Sequence, residues 1–66
     1  MNQTAALHIH ARLLGDPPLW SAEIHDPATR EIVWSSWTDE WMAYQTLEEA
    51  TQRANVIVTR LYQHVV

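Results

Sequence analysis

Apolar and polar positions alternate cleanly along the opening stretch of the chain. Ala5, Leu7, Ile9, Ala11 and Leu13 fall on one side, and Ala6, His8, His10, Arg12 and Leu14 on the other. A period of two with one apolar side predicts a half-buried strand over residues 5–14. Gly15-Asp16-Pro17-Pro18 breaks it, because Gly15 is the only glycine and two consecutive prolines donate nothing to a ladder. Alternation resumes over residues 19–25, with Trp20, Ala22 and Ile24 apolar and Ser21, Glu23 and His25 polar. Asp26-Pro27-Ala28-Thr29-Arg30 makes a second turn. Residues 31–37 are rich in β-branched and aromatic side chains and predict a third strand. Within it Ile32 and Trp34 share one side, and Val33 and Trp37 the other. Short connections favour neighbouring antiparallel strands, in the order 1-2-3.

The pattern then changes period. Thr46-Leu47-Glu48-Glu49 reads as a capping box, in which the threonine accepts from the backbone three residues on while the glutamate reaches back. Leu47, Ala50, Ala54, Ile57, Leu61 and Val65 follow at helical spacing and predict a helix over about residues 47–64. Val56, Val58, Tyr62 and Val66 extend the apolar surface beyond what one small sheet covers. Residues 38–45 stay open: Thr38-Asp39-Glu40-Trp41 fits either a helical turn or a strand end with a loop. The predicted fold is α+β, a three-stranded antiparallel meander packed on one C-terminal helix (β-β-β-α), in a single domain over residues 1–66.

Length makes that core thin. A chain of 66 residues buries only about 60 % of its unfolded surface. Disulfides, a structural metal or oligomerisation usually support so small a domain. There is no cysteine, which excludes disulfides and thiolate metal sites, so oligomerisation leads and a histidine-bound metal follows. Eight acidic residues against four arginines and no lysine give a net charge of −4. That balance argues against nucleic acid, whose affinity rests on cationic contact with phosphate. It suits a partner with a basic surface. No apolar run approaches a membrane span, and Met1-Asn2-Gln3-Thr4 does not read as a secretory leader. The expected location is the cytoplasm.

The hairpin pattern also fixes a candidate chemistry. If Gly15 to Pro18 form a four-residue loop, Leu13 meets Trp20, Ala11 meets Ala22 and Ile9 meets Ile24 on the core face. Arg12 then meets Ser21, His10 meets Glu23 and His8 meets His25 on the outer face. A slip of one residue would bury the histidines, so the apolar pattern supports this register. His8, His10, His25 and Glu23 are a ligand set suited to zinc or copper. The competing reading is a solvated polar sheet face, or one that gains charge near pH 6.

Four tryptophans are more than so short a chain easily buries. Trp20 and Trp34 fit the core, leaving Trp37 and Trp41 as candidates for a binding surface, where tryptophan is enriched. Glu48 and Glu49 compensate the helix dipole, whereas Asp39 and Glu40 lack that explanation and join Trp37 and Trp41 in a candidate partner-binding set. No cysteine nucleophile, glycine-rich phosphate loop or serine elbow is present. A sheet-plus-helix monomer rarely encloses a water-excluding pocket, so catalysis is not expected.

Three strands followed by Thr46-Leu47-Glu48-Glu49-Ala50 resemble the HicB-type antitoxin domain, in which a short meander leads into a helix opening with this kind of stretch. The β-β-β-α order also looks like the arm-binding domain of phage-type integrases. There the sheet face entering DNA is basic, whereas here it offers only Arg12 and histidines. Composition, patterning and resemblance together lead to the expectation of a non-enzymatic protein-interaction module. It is expected to be a homodimer engaging a basic protein, as an antitoxin or phage-type inhibitor would. A histidine-based metal-binding domain and a nucleic-acid module using the sheet face are the alternatives.

Overall fold

A computed structural model describes residues 6–63 of the chain. Ala5, assigned above to the first strand, and His64, Val65 and Val66, assigned to the helix or its apolar surface, lie outside the described residues. Strand β1 (His8–Leu14), β2 (Leu19–Asp26) and β3 (Glu31–Ser35) form one antiparallel sheet in the order β1-β2-β3. A single helical turn, α1 (Ser36–Asp39), follows directly, and α2 (Leu47–Gln63) is the last element among the described residues. The architecture is α+β, a meander packed on one C-terminal helix.

The first hairpin adopts the register that alternation predicts, with His8 opposite His25, His10 opposite Glu23, Arg12 opposite Ser21 and Leu14 opposite Leu19. Gly15 sits at φ 82 in the turn, a conformation that β-carbons disfavour. Space is not the constraint there, since an added Cβ would lie 3.7 Å from the Pro17 carbonyl oxygen. The second turn is held by its own polar side chains. The Asp26 carboxylate accepts from the Ala28 N–H at 2.9 Å and the Thr29 hydroxyl from the Glu31 N–H at 3.3 Å.

Strand β3 departs from simple alternation. Trp34 opposes Ile24 and Ile32 opposes His25, leaving Val33 as the extra residue of a β-bulge. Ile32 and Trp34 therefore lie on opposite faces, not the same one. Trp34 joins the core while Ile32 and Val33 stay exposed. The strand also stops at Ser35, two residues before the predicted end, because the chain enters α1.

The core lies between the sheet and α2. Ala22, Ile24, Trp34, Ala50, Ala54 and Ile57 are buried, and Leu7, Ile9, Trp20, Tyr44, Val58 and Leu61 pack around them. Alanines let the helix backbone approach the sheet closely, but they contribute little apolar area. Thr46 caps α2 by accepting from the Glu49 N–H at 3.1 Å, while its hydroxyl donates to the Glu49 carboxylate at 3.3 Å. Glu49 thus closes on the threonine side chain and not on its backbone. Leu47, although in the predicted apolar stripe, is exposed at the first turn. Val56 and Tyr62 are exposed as well, and the Tyr62 hydroxyl accepts from the Leu7 N–H at 2.9 Å. Among the described residues, no helix is long and apolar enough to cross a membrane.

Candidate functional site

The site is built where β3 gives way to α1. Beyond the end of β3, the edge of β2 needs other partners for its backbone groups. Ser36 supplies one, its Oγ accepting the Ala22 N–H at 3.0 Å and approaching the Ser21 Oγ at 3.5 Å. Tyr44 supplies the next, exchanging two backbone hydrogen bonds of 2.7 and 2.8 Å with Trp20. The connection between these anchors is short and well tied. The Asp39 carboxylate accepts from the Ser35 N–H at 2.8 Å. The Ser36 carbonyl accepts from both Glu40 and Met42. Arg53 of α2 grips Glu40 through Nε at 3.0 Å and through Nη2.

That framework presents two indoles. Trp41 is 77 % exposed and Trp37 46 % exposed, and their ring centroids stand 6.1 Å apart at 63°, edge to face. Trp41 adopts φ 56. For a bulky side chain the left-handed region costs about 1–2 kcal/mol, and the bonds on either side hold the chain there. An exposed aromatic in a strained conformation on a fixed turn is a combination that packing alone does not explain.

All four residues of the predicted partner set, Trp37, Asp39, Glu40 and Trp41, lie together on this turn. The structure also gives both acids structural roles that the sequence left unexplained. The Arg53 hydrogen bond and charge hold the Glu40 carboxyl below the ordinary glutamate range. The same contact raises the Arg53 guanidinium above its ordinary value. Burial, aided by the Glu40 charge, pushes the Tyr44 hydroxyl up.

The predicted metal set shares a face, as its register requires, and two of its members, His25 and Glu23, hydrogen-bond each other. His25 Nε2 lies 2.9 Å from the Glu23 carboxylate, and Arg12 reaches the same oxygen at 3.4 Å. The His10 ring lies against His25 with centroids 4.2 Å apart, and His8 follows at 6.4 Å from His10. Among the described residues, no three His, Asp or Glu side chains are grouped so as to hold a metal ion. Zinc needs ligand atoms converging at roughly 2.0–2.2 Å. The face is also less solvated than alternation predicts, since Ser21 is fully buried and Glu23 only 7 % exposed. The turn into α1 beside β2 is what closes over them.

Two clefts flank Trp37. One of about 370 Å³ is bounded by Arg12, Glu23, Ile32, Trp37 and Asp39, among others. The second, of about 260 Å³, is lined by Leu14, Gly15, Pro17, Leu19, Trp37 and Ala43. Leu14 and Trp37 border both. Sequence reasoning missed Ser36, Arg53 and this groove. A signal existed for the turn, since Ser36 and Asp39 stand three apart as at a helix start, although the cap falls on Ser35, whose N–H donates to Asp39. No local pattern marks Arg53, whose partner Glu40 is far away in sequence. No protein-family model, curated protein or solved structure matches this chain.

Proposed function

We propose that this chain is a non-enzymatic protein-interaction module, a homodimer that engages a basic protein through Trp37, Asp39, Glu40 and Trp41. The observation that carries the reading is the Trp37–Trp41 pair, exposed and edge to face on a turn fixed from both sides. Rigid aromatic anchors lose little side-chain entropy on binding, which is why tryptophan recurs at interface hot spots. The net charge of −4 and the absence of lysine favour encounter with a basic surface. Homodimer formation is supported by the alanine-rich core and by exposed Leu13, Val56 and Tyr62, which a second copy would cover. A cytoplasmic antitoxin or phage-type inhibitor would use such a surface.

Sedimentation velocity on the full chain, paired with affinity capture by wild type, Trp37→Ala and Trp41→Ala, tests this reading. A dimer is expected, with capture lost in both variants and melting temperatures retained. A strict monomer whose captured proteins are unchanged by either substitution would overturn it.

A further inference from the structure

The two clefts beside Trp37 differ in chemistry and meet at one ring. The larger is bordered by the carboxylates of Glu23 and Asp39; Glu23 is already engaged by His25 at 2.9 Å and by Arg12 at 3.4 Å, and Arg12 is the one cation lining the cleft among the described residues. Asp39 directs one oxygen to the Ser35 N–H and remains an exposed residue. The smaller cleft has no charged lining among the described residues and is walled by Leu14, Pro17, Leu19 and Ala43. Both sit near or below the lower end of the roughly 300–1,000 Å³ typical of small-molecule pockets. They are sized for side chains.

We propose that this groove docks an extended segment of a basic protein. An arginine or lysine side chain would sit in the larger cleft, against Asp39 and the Trp37 ring. A neighbouring apolar side chain would sit on Leu14, Pro17 and Leu19. The occupant follows from charge. An anionic ligand would face two carboxylates and an arginine already engaged by one of them. A cationic side chain gains an ion pair with Asp39 and the attraction of the indole face. The apolar cleft one ring-width away adds burial of the next side chain, and the shared Trp37 contacts both. This inference rests on the reading of the chain as a partner-binding module and specifies which segment chemistry that module selects.

The test uses the full chain and short capped peptides of alternating arginine and leucine, with alternating glutamate and leucine as the control. Two-dimensional NMR follows the backbone amides and the tryptophan indole N–H signals. The arginine–leucine peptide is expected to shift Trp37, Arg12, Leu14 and Leu19 together, and the glutamate peptide to shift none of them. Asp39→Asn keeps an acceptor for the Ser35 N–H while removing the charge, and is expected to weaken binding about tenfold. Binding is expected to weaken further between about 50 and 300 mM salt. Shifts confined to Trp41 would overturn the groove assignment while leaving the partner-binding reading intact. So would equal binding of both peptides, or no binding of either at millimolar concentration. Groove shifts that depend on protein concentration with no peptide present would assign the groove to a second copy of this chain, and would equally overturn the proposal.

Discussion

The two faces of this sheet are closed in different ways. Toward α2, closure is apolar: Ile24, Trp34 and Ile57 pack with three alanines, and contact area holds the layers together. On the outer face near α1, closure is polar. Ser21, Ser36 and Glu23 are buried there, Ser36 bonded to the Ala22 N–H and 3.5 Å from Ser21, and Glu23 bonded to His25, and among the described residues no buried side-chain nitrogen or oxygen lacks a partner. The apolar face tolerates small movements because contact is non-directional. The polar face fixes the chain in one geometry, because a misplaced donor there is costly. The indoles that leave the core, Trp37 and Trp41, are mounted on the polar side. A domain with a thin core can therefore hold an aromatic surface rigidly without burying it.

Substitutions separate the two modes of closure. Ile24→Ala removes a fully buried side chain between sheet and helix, and is expected to lower unfolding free energy by about 2–5 kcal/mol in urea denaturation. A smaller loss would show that the helix collapses onto the sheet. Ser36→Ala leaves the Ala22 N–H without its acceptor, with an expected loss of about 1–3 kcal/mol. Hydrogen exchange should locate that loss at Ala22 and along α1, sparing the pairing of β1 with β2. A neutral outcome would mean that water replaces the hydroxyl and that polar closure is not specific.

A smaller effect probes the strain at Trp41. Only glycine is free of steric cost at φ 56. Trp41→Gly is expected to melt higher than Trp41→Ala by the equivalent of up to about 1 kcal/mol, after allowing for the added freedom of glycine in the unfolded chain. The reverse order would show that Trp41 does not hold this conformation in solution. The smallest effect concerns the Glu40–Arg53 pair. Because the Glu40 pKa is lowered in the fold, its contribution is complete above the ordinary glutamate range and is lost as pH falls through the depressed value. From neutral pH into acid below the ordinary glutamate range, the melting temperature of wild type should therefore fall more than that of Glu40→Gln, the two converging once Glu40 is protonated.

The first hairpin was legible because its apolar residues are locked by parity: a slip of one residue would exchange Ile9 for a histidine and Ile24 for His25 or Glu23. The body of α2 was legible from Thr46 and the spacing of Ala50, Ala54 and Ile57. Strand β3 was not, because Ile32, Val33 and Trp34 are three apolar residues in a row, and nothing local says which one the bulge removes from the ladder. The turn at α1 was obscured for a related reason. Ser35 to Trp37 continue the strand pattern, and the contacts that turn the chain, among them the Ala22 N–H bond to Ser36, involve another strand. At the site, an excess of indoles was enough to single out Trp37 and Trp41. The contacts of Asp39 and Glu40 were not readable, since they depend on a turn and on a helix whose relative placement no short pattern encodes.

Trp34 is buried between sheet and helix, whereas Trp41 stands exposed on the turn after α1. Urea unfolding of Trp34→Ala and Trp41→Ala, measured side by side on the full chain, tests this division most directly. Trp34→Ala is expected to lose about 3–5 kcal/mol and Trp41→Ala no more than about 0.5 kcal/mol. Comparable losses in the two variants would overturn this division, because Trp41 would then be part of the packed structure.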